Sequence, residues 1–320
     1  MQRRSFLALF GAGTGLLASA PNAAQPLRLI VPAPAGGMSD MVARTLAQAW
    51  STATGKPVIV DNRPGAGGAL ATDLLLSAPR DGSTLMVSPN SIVTELPHTI
   101  KPRYDPFEDL VPVAEIASTG LVLVVDPALP VSTLPQLLSF LRGRSNAAFA
   151  SFGHGTISHL KSLQLCHAAG LVLLHVGHKG SPPALLDVSG GRVAFMFDGI
   201  STSAPLIASR KLKALAVTLP RRSELLPDVP TLEELGHGSL TQTAALTLFA
   251  ASKVPEPVVA SVRREALDAL ADAALMQRLT DSGLTMAARS PSLADLQRNL
   301  RSEYQRTGEI LRKIAPLSTR

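Results

Sequence analysis

Short apolar runs alternate along this chain with longer stretches whose apolar residues recur at helical spacing. Leu27-Arg-Leu-Ile-Val31 has the length and composition of a buried strand. Beyond it, Val42, Ala43, Leu46, Ala47 and Trp50 form one stripe of a helix. The alternation continues with a strand at 58–60, a loop at 62–68, a helix at 69–77, a turn at 79–82 and a strand at 84–87. Strands that alternate with helices predict parallel βαβ units. Leu121-Val-Leu-Val-Val125 is a continuous apolar strand stopped by Asp126-Pro127, and predicts the passage into a second domain. There Ser132 or Thr133 caps a helix through 141, followed by a strand at 147–151, a helix at 157–169 and a strand at 171–176. Pro182 suits the first turn of a further helix, and strands follow at 193–197 and 214–218. A long loop at 220–230 leads to a return strand at 244–251 and three amphipathic helices at 255–274, 276–282 and 292–314. The expected division is therefore 25–125 with 245–320 in domain 1 and 126–244 in domain 2.

In such sheets ligands sit beyond the carboxyl ends of the strands. That puts residues 33–40, 63–68 and 88–90, including Ser88 and Asn90, along one rim. Residues 153–156, 177–181 and 198–203 lie along the other. The loop between the first strand and helix reads Pro32-Ala-Pro-Ala-Gly-Gly-Met-Ser-Asp40. Gly36 and Gly37 allow close approach of a ligand to the backbone, and Ser39 and Asp40 are good N-cap residues. The helix start favours a small anion.

Composition narrows the class. A chain of 320 residues suffices for two α/β domains. Aromatic residues make up 4%, too few for base-stacking platforms. The net charge is +6 without a basic run, which argues against nucleic acid as a partner. Arg3-Arg-Ser-Phe-Leu7, an apolar stretch at 6–17 and small residues through Ala24 predict an export signal at 1–24. The paired arginines suit either the twin-arginine route or the n-region of an ordinary signal. The mature chain is expected to start near Gln25, in the periplasm. Cys166 stands alone, which rules out an intramolecular disulfide.

Catalytic signatures are missing: there is no Gly-x-Ser-x-Gly elbow, His-Glu-x-x-His helix or Walker A loop. Ser151, His154 and Asp198 could be assembled into a triad on paper only. Five of the seven histidines fall between His154 and His178, with no carboxylate among them. They are expected in structural or hydrogen-bonding roles, with no metal and no cofactor.

Six motifs in register carry a family resemblance. They are the Gly36-Gly37 loop, Val60-Asp-Asn-Arg-Pro-Gly-Ala-Gly-Gly-Ala69, Tyr104-Asp-Pro-Phe-Glu-Asp-Leu-Val-Pro-Val113, Gly155-Thr-Ile-Ser-His-Leu160, His175-Val-Gly-His-Lys-Gly180 with Gly190-Gly-Arg-Val-Ala-Phe-Met-Phe-Asp198, and Leu226-Pro-Asp-Val-Pro-Thr231. From about Leu27 onward the chain resembles the Bug family of extracytoplasmic solute receptors, the binding proteins of tripartite tricarboxylate transporters. The resemblance implies an α/β, two-domain periplasmic-binding-protein type II fold, with a hinge between two mixed, largely parallel sheets. It implies a non-catalytic receptor for a small carboxylate, expected to be a monomer, and delivery to a membrane permease pair. A sensor system is the alternative partner, and a metal-dependent hydrolase using the histidines is the alternative from another class.

The resemblance also places ligand contacts on loops matched by Ala35 to Asp40, Arg63 to Gly68 (with Gly65 and Gly67), Gly155, Thr156 and Asp198. Backbone N–H groups of Gly36, Gly37 and Gly67 are candidates for one carboxylate, and Thr156 adds a hydroxyl and a helix start. Asp198 suits a hydroxyl or ammonium on the ligand, or else caps the next helix. Arg63 is expected to clamp its own loop. His159 and His175 match family positions that need no metal. A small residue is more usual where His154 stands. His178 replaces the family's usual tyrosine, and would bring a group able to take up a proton near neutral pH to the cleft. The tryptophan usual near the return strand is absent.

Overall fold

The computed structural model describes residues 26–144, 146–286 and 290–314; the expected export signal lies outside these residues. The first part of the chain runs β1 (Leu27–Val31), α1 (Met38–Thr54), β2 (Val58–Asn62), α2 (Ala69–Ser77) and β3 (Thr84–Pro89). Two single-turn helices follow, α3 (Ser91–Thr94) and α4 (Leu96–Thr99), and then the long strand β4 (Leu110–Val125). Next come α5 (Leu134–Leu141), β5 (Ala148–Ser151), α6 (Ile157–Ala169), β6 (Leu174–Gly177), α7 (Ser181–Ser189), β7 (Phe195–Gly199), α8 (Ile200–Ala208) and β8 (Lys213–Val217). The chain returns through β9 (Thr243–Ala251), α9 (Glu256–Leu270), α10 (Ala273–Asp281), β10 (Thr285–Met286) and α11 (Leu293–Ile314).

β1 pairs in parallel with β2 and β3, and β5 pairs in parallel with β6 and β7. The apolar run in β1 follows from this position, because a parallel strand covered on both faces has no polar side. Leu29, Ile30 and Val31 are wholly buried. The antiparallel pairings belong to the strands that cross between the two sheets. β9 pairs with β3 and with the first part of β4, and β7 and β8 pair with its last part.

β4 is thus shared. Leu110 to Gly120 pair with β9 in one sheet, and Leu121 to Val125 pair with β7 and β8 in the other. In the sequence only the second segment stands out as a strand, and it falls with domain 1, because Pro112 and Glu115 interrupt the apolar pattern of the first. Pairing changes five residues before Asp126. Two register shifts, between Pro112 and Ala114 and between Glu115 and Ala117, accommodate the interruption.

Each sheet carries apolar layers on both faces. α1, α9 and α10 cover one face of the first sheet and α2, α3 and α11 the other. In the second sheet α5 and α6 cover one face and α7 and α8 the other. Local signals set the helix ends. Gly55 closes α1 in the left-handed conformation, Thr133 caps α5 through the Gln136 N–H, and Asp272 caps α10 through the Leu275 N–H. None of the described helices is long and apolar enough to cross a membrane.

Candidate functional site

The carboxyl ends of the parallel strands in both sheets face one another across a cavity of about 70 Å³. From the first sheet the lining comes from the loop after β1 (Pro32, Ala33, Gly37, Met38, Ser39), the glycine loop after β2 (Gly65, Gly67, Gly68) and the end of β3 (Pro89, Ser91). The second sheet brings Phe152 and Thr156, then His178, Lys179, Gly180 and Ser181, and finally Asp198, Gly199 and Thr202. The topological switch at β4 supplies Leu121.

Besides α2, which continues from the single turn Ala66–Gly68, four helices of eight or more residues start at this cavity: α1 at Met38, α6 at Ile157, α7 at Ser181 and α8 at Ile200. N-cap residues Gly37, Thr156, Gly180 and Gly199 all line it. First-turn N–H groups have no intrahelical acceptor, and each helix brings a partial positive charge to its start. An anion at this place meets all four.

The loop after β1 is built differently from the sequence expectation. The N-cap is Gly37, not Ser39 or Asp40. Asp40 turns back beneath the loop, where its carboxylate accepts from the Gly36 N–H (3.0 Å), Asn62 Nδ2 (2.9 Å) and Arg44 Nε (2.9 Å). Burial alone would raise the pKa of Asp40, but these donors hold its carboxyl below the usual range. The Gly37 N–H donates to Pro34 O at 3.2 Å. The N–H groups of Gly36 and Gly37 are therefore engaged within the loop. Met38 and Ser39, the first residues of α1, line the cavity beside Gly37. Ala35 and Gly36 are exposed outside it, and Asp40 faces away.

In the second loop Gly65, Gly67 and Gly68 have positive φ, and Gly67 passes so close to the opposite domain that a Cβ there would lie 2.5 Å from His154 O. Arg63 pairs with Asp61 at 2.8 Å, and Arg28 holds the same carboxylate. The expected structural clamp is in place. Ser88 donates to Pro89 O within the sheet and Asn90 opens α3, so the lining at this edge falls to Pro89 and Ser91 instead. Gly155 packs on Leu96 and Thr99 behind the cavity, and its N–H donates to His159 Nδ1 at 3.2 Å. His159 lies in a separate pocket with His154 and His175.

Asp198 is fully buried at the end of β7. It accepts from the hydroxyls of Ser181, Thr202 and Ser203, the last at 2.8 Å. Burial raises its affinity for a proton, and the three hydroxyls offset only part of that. The carboxylate fastens the starts of α7 and α8 to one another, and its oxygens are occupied by protein donors. Ser181 and Thr202 were not singled out from sequence, although the rim loops that contain them were. The signal was a Ser or Thr within the first turn of each helix after a glycine. His178 lines the cavity with Nε2 3.2 Å from Asp187 Oδ2, out of line for a hydrogen bond. The paper triad does not assemble: Ser151 Oγ contacts His175 Nε2 at 2.7 Å, and Asp198 meets only hydroxyls and backbone.

A cleft of this kind, between two α/β halves joined by crossing strands, defines a periplasmic-binding-protein-type solute receptor. The chain belongs to the tripartite tricarboxylate transporter family receptors, whose profile it matches over residues 42–315. It is 32% identical over 271 residues to protein BugT of Bordetella pertussis, covering 84% of this chain and 83% of that one. Two solved structures share the fold. One, from R. palustris and described with adipate, is 28% identical with a TM-score of 0.85, covering 91% of this chain and 97% of its own. The other is MatC of Rhodopseudomonas palustris with bound malate, 29% identical with a TM-score of 0.83, covering 89% and 98%. The protein is thus a solute-binding receptor and not an enzyme.

Proposed function

We propose that this receptor captures a small carboxylate in the periplasm and hands it to a membrane permease pair of the tripartite tricarboxylate type. The observation that carries the reading is the convergence of four helix starts, from both sheets, on one cavity. A carboxylate has no need of a counter-charge in such a place, because several partial charges and unpaired N–H groups substitute for one. Lys179 at the rim adds a full positive charge. The cavity has room for about five waters, which suits a solute of a few carbon atoms. The related proteins that hold adipate and malate support the same chemical class. Met38, Ser39, Thr156, Ser181 and Thr202 are the proposed contacts, with Gly37 and Gly67 giving the backbone room to approach. Asp198 positions Ser181 and Thr202.

A thermal-shift screen of mono-, di- and tricarboxylates on the exported chain tests this, since a ligand bound only by the folded state raises Tm. At least one small carboxylate should raise Tm in proportion to the logarithm of its concentration. A panel in which uncharged analogues shift Tm as much as the acids would overturn the reading.

A further inference from the structure

A second cluster of chemistry-bearing side chains lies behind the loop that forms the cavity wall. His154, His159 and His175 each offer a ring nitrogen such that the three nitrogens lie within 4.8 Å of one another. They come from three different elements: the loop before α6, the first turn of α6, and β6. The crowding of histidines between 154 and 178 marks them in the sequence, where hydrogen-bonding roles without metal are the preferred expectation. We propose that these three imidazoles form a binding site for a divalent transition metal of the zinc, nickel or copper class.

The geometry is close to what such an ion needs. Ring centroids are separated by 3.9 Å (His159 to His175), 4.7 Å (His154 to His159) and 5.7 Å (His154 to His175). Two imidazoles bound to one tetrahedral ion at the usual metal–nitrogen length hold their centroids roughly 5 Å apart. His159 and His175 stack at 3.9 Å with planes 19° apart, so this pair must open by about 1 Å and turn its rings for both lone pairs to meet one ion, while His154, exposed and flanked by Gly153 and Gly155, both with positive φ, swings in to complete the set.

Hydrogen bonding leaves lone pairs available. Ser151 Oγ lies 3.0 Å from Gly153 O and 2.7 Å from His175 Nε2; with its proton on Gly153 O it accepts from His175 Nε2, the tautomer that leaves Nδ1 free for a metal. A hydroxyl on the far nitrogen is the kind of support that orients a ligating histidine. The Gly155 N–H points at a lone pair on His159 Nδ1, a bond that a metal at that nitrogen would replace. The adjoining pocket of about 520 Å³, between α6, β6 and the end of α11, leaves room for water or a small anion to complete the coordination. No carboxylate lines it among the described residues, and the donor set is nitrogen-rich, which favours zinc, nickel or copper over calcium or magnesium.

His154 is the residue that makes the trio.

The test uses the exported chain, freed of any histidine tag and treated with EDTA. Titration calorimetry with zinc chloride, and visible absorption with cobalt chloride, should show one equivalent bound at about micromolar strength. His154→Ala should weaken binding about tenfold or more while leaving the metal-free Tm and the carboxylate response unchanged. His237→Ala, outside the cluster, should leave binding at the wild-type value. Millimolar or absent binding by the wild type would overturn the proposal, as would full-strength binding by His154→Ala. Neither result bears on the carboxylate cavity, which the trio does not line.

Discussion

Gly180 sits against the ring of Pro34, so close that a Cβ on Gly180 would fall 2.5 Å from Pro34 Cγ and closer still to Cδ. Pro34 belongs to the loop after β1 in the first half of the chain, and Gly180 is the N-cap of α7 in the second. A second such contact joins Gly67 to the backbone of His154. The two halves therefore meet through bare backbone on either side of the cavity. Glycine is required at 180 twice over, since its φ of +130° is also closed to other residues.

Gly180→Ala should hold the halves apart. With the methyl group wedged against Pro34, affinity for the solute should fall about tenfold or more, equivalent to about 1.4 kcal/mol. Small-angle scattering at saturating solute should give a larger radius of gyration than for the wild type. Identical scattering curves and identical affinities would show that closure does not pass through this contact.

The fold was legible in the sequence to an unusual depth, and the reasons are local. The helix at 69–77 and the helix at 157–169 were read to their ends because strand, glycine loop and apolar stripe follow one another without interruption. The first part of β4 was lost because Pro112 and Glu115 break its alternation, and only pairing with β9 supplies the order. At the site the loops were legible but individual roles were not. A Ser-Asp pair at a helix start signals a cap, yet Asp40 is drawn away by Arg44 and Asn62, the latter from another strand. The histidine trio was hidden for the same reason: its members meet only once β5, α6 and β6 are packed.

Asp40→Ala removes the acceptor for the Gly36 N–H, the Asn62 amide and the Arg44 guanidinium. Losing hydrogen bonds to a buried carboxylate costs about 1.5–3 kcal/mol, and urea unfolding should register a loss of that size. Affinity should fall as well, because the loop that presents the start of α1 loses its anchor. A variant as stable as the wild type would mean that water replaces the carboxylate.

Asp198→Ala should act on the opposite wall. Three hydroxyls, from Ser181, Thr202 and Ser203, lose their acceptor. The burial of the charged form is relieved at the same time, so the net change in stability should be smaller than for Asp40→Ala. Solute affinity should drop the more steeply of the two, because the starts of α7 and α8 are no longer fastened together. Calorimetry and urea unfolding on the same preparation separate these effects; a large stability loss with unchanged affinity would make Asp198 a core residue only.

Glu95 gives the pH dependence of the frame. It is fully buried in the first half of the molecule, where Thr94 donates to it and Gln242 Nε2 approaches at 3.4 Å while bonding Glu303 at 2.9 Å. Lys161, on α6 of the second half, faces the same carboxylates, and Arg306 lies 3.9 Å from Glu303. Burial, reinforced by the charge of Glu303, pushes Glu95 up to about 7, against the pull of Thr94, Lys161 and Gln242. The sign follows from linkage. Between its ordinary value of 4.5 and about 7, the folded chain holds a proton that the unfolded chain has released, so Glu95 lowers stability as pH rises through that window. Above about 7 both states are ionised and the contribution is constant. Glu95→Gln keeps the shape and cannot ionise. Relative to the wild type, its unfolding free energy in urea should therefore gain steadily from pH 5 to pH 7 and level off by pH 8. A difference between the two proteins that stays flat over this range would mean that Glu95 is already ionised at pH 5, with Lys161 and Gln242 supporting its charge inside the fold.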